Sequence, residues 1–573
     1  MEKQWVVKTV DDAVVQELSR TLGVCPVTAG IIAGRGVVTT AAGAQFLAPT
    51  LSAMIDPFLL KGMHEAVERL LRALKAGETV CIYGDYDVDG ISGTALLVSF
   101  LRHVGFTCTY FIPNRFDDGY GLNEGALRQI IASGATLIMS VDCGITAVRE
   151  ADFCRQVGAD LIILDHHTPG ASIPDAAAVV NPLQPGCSYP FKMLAGVGVA
   201  YNLLVALRST LRRDGLFAAG GEPDLRDWLD LVALGTIADV VPLIGQNRMY
   251  AYFGLQKLEC SGRAGITALK KSAGITGPVS CGQVGFRLAP RLNAAGRMES
   301  AVPGVELLLE PGVDLCTQIA EELHTANAER QTVERSILDS AVAMVEGGGY
   351  YPACRSIVLA SRDWHQGVIG IVASRMVERY HRPTILVAID EAGIAKGSGR
   401  SIPGFHLLDA LNLCSDHLDR FGGHRYAAGV GLLEESIAGF AAGFEAAAVQ
   451  ILGDAELVPL LDIDAEVRPD QVNLPLACEL QRMEPFGAGN PEPVLMLRGV
   501  TVVERRTVGD GHLKLRVSAG GRNFSAIAFR QAECATDGVL DIAFFPEGNS
   551  WNNTTTLQLR IKAIRKGGDN AAS

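Results

Sequence analysis

Nowhere in this 573-residue chain do two cysteines stand in Cys-x-x-Cys spacing. Its thirteen cysteines are odd in number and scattered, so the sequence offers neither a disulfide framework nor a zinc ribbon. Several, Cys81 and Cys143 among them, lie in or beside apolar runs and read as small buried hydrophobes. No window reaches eighteen consecutive apolar residues, so no membrane-spanning helix is expected. The start, Met1-Glu2-Lys3-Gln4-Trp5, soon meets Asp11 and Asp12 and lacks the basic-then-apolar layout of a secretory signal. A soluble cytoplasmic protein is the expectation. A basic excess is missing too: 50 Lys and Arg face 63 Asp and Glu, a net charge of −13. That argues against an obligate coat of nucleic acid but does not exclude a nucleic-acid enzyme. Cation-binding carboxylates inflate the negative count, and phosphate contact needs only a local basic surface. Residues 491–573 supply one, with eleven Arg/Lys against eight Asp/Glu.

What is present is enough apolar sequence, 48%, for a globular protein of about three or four domains. No internal repeat or low-complexity stretch interrupts it. Between about 78 and 240, strands alternate with helices: Thr79–Tyr83, a helix over Ile91–Val104, then Thr107–Ile112, Thr136–Val141 and Leu161–Leu164. The strand runs are nearly continuous in apolar residues, as parallel strands buried on both faces require, which predicts a doubly wound α/β domain. Residues 312–345 read as a long connecting helix with charges over a spaced apolar set. A second, glycine-rich α/β unit follows at about 350–455. The segment at about 458–566 alternates, as in Val500-Thr501-Val502-Val503 and Leu557-Gln558-Leu559-Arg560-Ile561, and predicts a small OB-type β-barrel. The expected architecture is α/β, two α/β domains joined by a long helix plus a C-terminal barrel. The divisions are 1–60, 61–265, 266–345, 346–456 and 457–566, with 567–573 a disordered tail.

Three predicted strands end on ionisable residues. The first runs into Gly84-Asp85-Tyr86-Asp87-Val88-Asp89-Gly90, the second into Asp142-Cys143-Gly144, the third into Asp165-His166-His167. The carboxyl ends of parallel strands share one edge, so these groups should converge where ligands bind. Asp239 follows an apolar helix candidate in Thr236-Ile237-Ala238-Asp239-Val240-Val241-Pro242. For any one aspartate alone, a solvated turn with Asp89 or Ser92 as helix cap is the simpler reading. A Ca²⁺ loop fails because Gly90 comes too early and no Glu stands at the twelfth position. The convergence of three strand ends with a double histidine favours a metal site. Oxygen ligands plus an imidazole suit Mn²⁺ or Mg²⁺ better than zinc. Two such ions about 4 Å apart can drive an in-line displacement at phosphorus.

Asp-Tyr-Asp-Val-Asp-Gly, the isolated Asp142, Leu-Asp-His-His and Ile-Ala-Asp-Val-Val resemble the first four motifs of the DHH phosphoesterase superfamily. Their form, over about 60–565, resembles its RecJ branch. The resemblance implies a single-stranded-DNA-specific 5′-to-3′ exonuclease using two Mn²⁺ or Mg²⁺ ions and releasing 5′-mononucleotides in repair and recombination. It implies that Asp87 and Asp89 hold one metal each, that Asp142 bridges them, and that His166 and Asp239 complete the set. His167 would face the scissile phosphate, with Asp85 and Asp165 orienting loops and imidazoles.

The stretch Phe286-Arg287-Leu288-Ala289-Pro290-Arg291-Leu292-Asn293-Ala294-Ala295-Gly296-Arg297 is similar to the family's Asn-Ala-Ala-Gly-Arg segment, which gives Arg297 a phosphate contact. Arg287 and Arg291 stand open between that role and surface ion pairs. Trp364–Gly370, Lys396–Ser401 and Phe421-Gly422-Gly423-His424 resemble the companion DHHA1 domain. They are read as glycine-rich loops whose amides, with Ser398 and Arg400, meet an anion. By the resemblance Arg115, Ser398 and Arg400 grip a terminal 5′ phosphate. His424 is either a substrate-facing donor or a buried structural histidine. The barrel would bind single-stranded DNA through Arg505, Arg506, Lys514, Arg516 and Arg522, with Phe524, Phe529 and Trp551 as stacking residues, although barrel aromatics are commonly core.

The resemblance further implies a monomer working with a single-stranded-DNA-binding protein and a repair helicase, away from membranes. Two alternatives stay open. Oligonucleotide and cyclic-dinucleotide phosphodiesterases share the motifs but are shorter and lack the barrel. Non-catalytic DNA-binding relatives lose the ligands that are intact here.

Overall fold

The computed structural model describes residues 3–114, 121–349, 351–454, 456–509, 511–534, 537–551 and 554–568, with Ser550 and Trp551 described by backbone alone. Arg115 and residues 569–573 lie outside the described residues. Strand β1 (Gln4–Val7) opens the chain, followed by helices Asp12–Leu22, Pro26–Gly34 and Thr40–Leu47. The first α/β domain carries β2 (Thr79–Gly84), β3 (Thr107–Phe111), β4 (Leu137–Val141), β5 (Asp160–Leu164) and β6 (Ala178–Val180). They form an all-parallel sheet in the order β3-β2-β4-β5-β6. Alternate residues feed two cores: Val80 and Ile82 face one layer of helices, Cys81 and Tyr83 the other. Burial on both faces is why the strands read as continuous apolar runs. The helix after β2 begins earlier than the apolar pattern suggests, at Val88, and runs to His103. Its cap is Asp87, not Asp89 or Ser92: Asp87 Oδ1 accepts from the amides of Asp89 at 2.9 Å and Gly90 at 3.2 Å.

The connecting helix spans Val313–Gly347, 35 residues, and is about 52 Å long at 1.5 Å per residue. Beyond it lie β7 (Ile357–Ser361), β8 (Thr384–Ile389), β9 (Ile394–Arg400), β10 (Arg420–Gly423) and β11 (Ala427–Leu433) in the order β10-β11-β9-β8-β7. Here the sequence reading needs correction. Lys396–Arg400 is strand β9 and Phe421–Gly423 belongs to β10, so two of the three glycine-rich loops are strands. The glycines of β9 serve close approach: a Cβ on Gly397 would sit 2.5 Å from Val430, and one on Gly399 3.0 Å from Leu407. Lys396, Ser398 and Arg400 take the opposite face, as period-two alternation demands.

Strand β12 (Leu460–Ile463) pairs in parallel with β1. Then come β13 (Ala465–Glu466), β14 (Leu495–Val508), β15 (His512–Ala519), β16 (Arg522–Ala528), β17 (Leu540–Trp551) and β18 (Thr554–Lys566). Their order is β13-β14-β15-β16-β18-β17, and an additional β14–β17 pairing closes a barrel. The first fifty residues, which the sequence leaves unassigned, belong with this barrel. Leu18, Ile31, Ile32 and Leu47 share one core with Leu480, Leu497, Leu515 and Phe544.

That shared core generates a test. Ile32 is fully buried, so Ile32→Ala should destabilise the barrel by about 2–5 kcal/mol. Amide exchange should quicken along β14 and β17, four hundred and more residues away in sequence. Unaltered protection there would show that the barrel stands without the N-terminal helices.

Candidate metal centre

Register sets the site. Gly84 of β2 pairs with Val141 of β4, and Val141 with Leu164 of β5, so each strand's next residue, Asp85, Asp142 and Asp165, falls at the same edge. The ladder continues one step further: Asp85 N donates to Val141 O at 3.3 Å, Asp142 N to Leu164 O at 2.9 Å, and Asp165 N to Val180 O at 3.1 Å. Asp142 has φ +64°, a left-handed backbone that Asp tolerates better than most side chains. Asp87 and Asp89 arrive on the first turn of the helix after β2. Asp239 closes helix Leu229–Ala238.

These groups meet. His166 Nε2 lies 3.1 Å from Asp142 Oδ1, 3.6 Å from Asp239 Oδ2 and 3.9 Å from Asp89 Oδ2. Three overlapping sets have ligand atoms within 4.8 Å of one another: Asp142, His166 and His167; Asp89, His166 and Asp239; Asp85, Asp87 and Asp142. Asp142 Oδ1, His166 Nε2 and Asp239 Oδ2 are buried and have no hydrogen-bond partner among the described residues. Buried polar atoms are almost always satisfied, so three such atoms aimed at one point fit divalent cations as the missing partners.

Electrostatics agrees. Burial, then the neighbouring Asp87, pushes the Asp89 carboxyl up to about 7. Burial, then Asp89 and Asp87, holds Asp142 and Asp239 well above the usual carboxylate range. Burial and the adjacent His167 pull His166 down to about 4, leaving it a neutral imidazole, the ligating form. His167 goes the other way. Burial disfavours its charge, but its Nδ1 contact with Asp165 Oδ1 at 2.8 Å outweighs that and raises it. Asp165, despite burial, is held low by His167 and by the Ile145 amide at 2.8 Å. An ionised Asp165 only accepts, so His167 Nδ1 is the donor and Nε2 points elsewhere.

Several positioning groups were not assigned this role from the sequence, and two of them are backbone amides. The amides of Gly196 and Val197, opening helix Gly196–Arg213, donate to the Asp89 carboxylate at 2.6 and 2.9 Å. A Cβ on Gly196 would come within 2.7 Å of Asp142 Cβ, so that helix reaches the site only as glycine. Gly90 is equally constrained, since a Cβ there would stand 2.5 Å from the Asp85 backbone. Asn181, fully buried, donates to the His167 carbonyl at 2.9 Å. Asn293 accepts from Val88 N at 3.1 Å, tying helix Ala289–Met298 to the first motif. The run Ala195-Gly196-Val197-Gly198 was the available hint.

A crevice of about 1260 Å³ opens between the two α/β domains. Tyr86, Asp87, Asp239 and Arg297 line one wall, and Lys396, Ser398, Arg400 and Arg420 the other. Arg400 Nη1 donates to Ser398 Oγ at 3.2 Å, and Arg297 Nη1 to Gly367 O at 3.2 Å. Arg420 was not foreseen. His424 is exposed, which removes the buried structural reading, and it stands beside the lining without joining it. Among the described residues, Arg287 and Arg291 are neither ion-paired nor part of the crevice lining. Arg287 holds the Ala273 carbonyl and Arg291 the Ser272 carbonyl at 3.3 Å, capping helix Ala264–Ser272.

On the barrel, Arg505, Arg506, Lys514, Arg516 and Phe524 line one concavity of about 610 Å³. Arg522 borders a neighbouring hollow, where its guanidinium reaches Pro469 O at 3.4 Å. Phe524 is only 7% exposed and so is largely core, while Phe529 is 48% exposed against His512. The Trp551 side chain is outside what is described.

Comparison with known proteins matches this organisation. Residues 79–236 match the DHH family N-terminal domain, 354–450 the DHHA1 domain and 463–563 the RecJ OB domain. The chain is 38% identical over 567 residues to the single-stranded-DNA-specific exonuclease RecJ of Bacillus subtilis, covering 98% of this chain and 70% of that one. The crystal structure of Thermus thermophilus RecJ with Mn²⁺ superposes with a TM-score of 0.84 at 34% identity, covering 98% of this chain and 79% of that one. The Mg²⁺ complex from the same organism gives 0.79 at 32%, covering 98% and 78%. With identity at this level running nearly from end to end, and with all three domain types in the same order, the chain belongs to the RecJ family of DHH phosphoesterases.

Proposed function

We propose that the protein is a single-stranded-DNA-specific exonuclease that removes 5′-mononucleotides from the 5′ end. The observation that carries this is the convergence of Asp142 and His166 atoms, without hydrogen-bond partners among the described residues, on Asp239 in the lining of a crevice whose far wall is basic. Asp87, Asp89, Asp142, His166 and Asp239 would hold Mn²⁺ or Mg²⁺, the ions in the related structures. Such ions, when bound, acidify water and neutralise charge on the phosphoryl oxygens. The protein's own groups do the rest. Asp165 orients His167 through Nδ1, so His167 Nε2 can present a proton to the scissile phosphate or its leaving oxygen. Arg297 binds a backbone phosphate, and Ser398 with Arg400, completed by Arg115, binds the 5′ terminal phosphate. His424 is a further donor at the crevice rim, and Asp85 steadies the loop of the first motif.

The barrel's basic concavity supports a polymer rather than a dinucleotide as substrate. The same reading has the protein act as a monomer. Among the described residues no helix is long and apolar enough to cross a membrane. The same reading has the protein work in the cytoplasm in repair and recombination, on strands exposed by a helicase and coated by a single-stranded-DNA-binding protein.

Removing the central carboxylate tests the chemistry. Because Asp142 adopts φ +64°, Asn is the replacement that keeps the backbone. Asp142→Asn should lower turnover about a thousandfold, several kcal/mol of barrier. In chelator the same variant should melt above the wild type, because an amide escapes the cost that burial and the neighbouring Asp89 impose on the Asp142 carboxyl, whose raised pKa destabilises the fold above the ordinary carboxylate range. Near-normal turnover in Mn²⁺ would sink the assignment.

Polarity is tested by Arg400→Ala in single-turnover digestion of end-labelled strands. The variant should lose about tenfold to a hundredfold on 5′-phosphorylated strands, one charge-assisted contact. It should lose less on 5′-hydroxyl strands. Equal losses place Arg400 elsewhere, and release from the 3′ end overturns the direction.

For the barrel, Lys514→Ala with Arg516→Ala should weaken binding of long single strands and flatten its salt dependence by about one unit of slope per lost phosphate contact. An unchanged slope would assign this concavity to another partner.

A further inference from the structure

The loop that carries Asp239 is strained and is held from outside its own domain. Val240, next to Asp239, has φ +61°, a left-handed conformation unfavourable for a β-branched residue, and is 69% exposed. Its side chain therefore does little to hold that backbone. The restraint comes three residues on. Leu243 N donates to Ala488 O at 2.6 Å, in the loop that leads from helix Leu474–Gln481 into barrel strand β14. The contact is tight on both sides: a Cβ on Gly487 would stand 2.7 Å from Leu243 Cδ1, and one on Gly489 2.9 Å from Pro242 Cβ.

A second tie crosses the same junction. Arg248, 3% exposed, donates through Nη2 to the carbonyls of Met483 at 3.0 Å and Glu484 at 2.5 Å. Its guanidinium lies 4.2 Å from the Phe46 ring centroid. Asn490, fully buried, stiffens the loop by donating to Met483 O at 3.0 Å and Pro485 O at 2.8 Å. On the other side, Asn247 Nδ2 donates to Pro242 O at 3.1 Å. The chain of contact is continuous: barrel loop, Pro242–Leu243, Val240, Asp239.

We propose that the Met483–Asn490 loop and Arg248 are positioning elements of the metal site, holding Asp239 in its ligating place through the Val240–Leu243 segment. The barrel's root thereby completes the catalytic edge as well as carrying a DNA-binding face. The proposal rests on the reading of Asp239 as a metal ligand, and the experiment separates the two.

Mn²⁺ binding to the full chain is titrated by the paramagnetic resonance of free Mn²⁺, without DNA, in wild type, Gly487→Val, Arg248→Met and Asp239→Asn. Melting is recorded for each variant, and single-strand binding in chelator. Groups that orient ligands typically change metal affinity about tenfold to a hundredfold, so Gly487→Val and Arg248→Met should each weaken Mn²⁺ binding by that factor. Single-strand affinity in chelator should stay near wild type. Adding Leu243→Ala to Gly487→Val removes the atom that Val would strike, and should restore Mn²⁺ affinity. Arg248→Met introduces no clash and provides the answer if Gly487→Val fails to fold. Wild-type Mn²⁺ affinity in folded Gly487→Val or Arg248→Met, with Asp239→Asn weakened, would overturn the positioning role alone. Wild-type affinity in Asp239→Asn would overturn the ligand reading beneath it.

Discussion

Mutual repulsion among carboxylates buried at one sheet edge is the constraint around which this molecule is arranged. At an effective dielectric of about 20, two unit charges 4 Å apart repel by about 4 kcal/mol. The cluster holds several such pairs, with Asp89 and Asp142 almost fully buried. A helix N-terminus offsets only about 0.3–2 kcal/mol, so the Gly196 and Val197 amides on Asp89 cannot balance the whole cluster. Multivalent cations can. The fold does not relieve the strain by spreading the groups apart. It fixes them, through register for Asp85, Asp142 and Asp165, through helix capping for Asp87, and through backbone amides for Asp89. Burial and crowding raise these carboxyls, so protons occupy part of the cluster until cations displace them, and cation binding should strengthen as pH rises.

The same constraint explains why bulk charge says so little about the substrate. The acidic edge faces a wall of Lys396, Arg400 and Arg420 across one crevice. Negative groups there collect cations, positive groups opposite collect phosphate, and both operate within a few side-chain lengths. Net charge sums over the two and cancels the information. What matters is their juxtaposition, which a low-dielectric crevice amplifies.

Legibility in the sequence followed the same physics. Strands β2, β4 and β5 were readable because double-sided burial leaves apolar runs that end abruptly on a charge, and those charges are the site. Strand β6, three residues long, is too short to show a pattern. Strand β9 was misread as a loop because glycines stand where inward side chains would, so the alternation that marks a strand is blank on one face. Arg287 and Arg291 stood open between phosphate contact and surface ion pairs because charge in a short run carries no direction. Only the coordinates show their guanidinium groups turned to helix carbonyls. The amides of Gly196 and Val197 left only a glycine-rich run as a hint, since a backbone donor belongs to every residue and acquires a role only through topology. The N-terminal helices had no legible partner because it lies more than four hundred residues away.

That distant pairing bears on how the barrel works. A flexibly tethered binding domain raises local concentration without setting direction. This barrel is not free in that way: β1 pairs with β12, the N-terminal helices fill its core, and Arg248 inserts into its root. Burying a guanidinium forfeits several kcal/mol of hydration unless its donors are met. Here two carbonyls and the Phe46 ring supply partners for Arg248 only while barrel and catalytic domain remain docked. Undocking would return the charge to water and leave Met483 and Glu484 to find other donors, so the two outcomes differ by a modest balance of large terms. A junction of that kind is firm enough to fix the orientation in which a strand leaving the barrel meets the crevice. Being polar, it also discriminates geometry more sharply than an apolar seam of equal area, since its donors and acceptors tolerate little sliding.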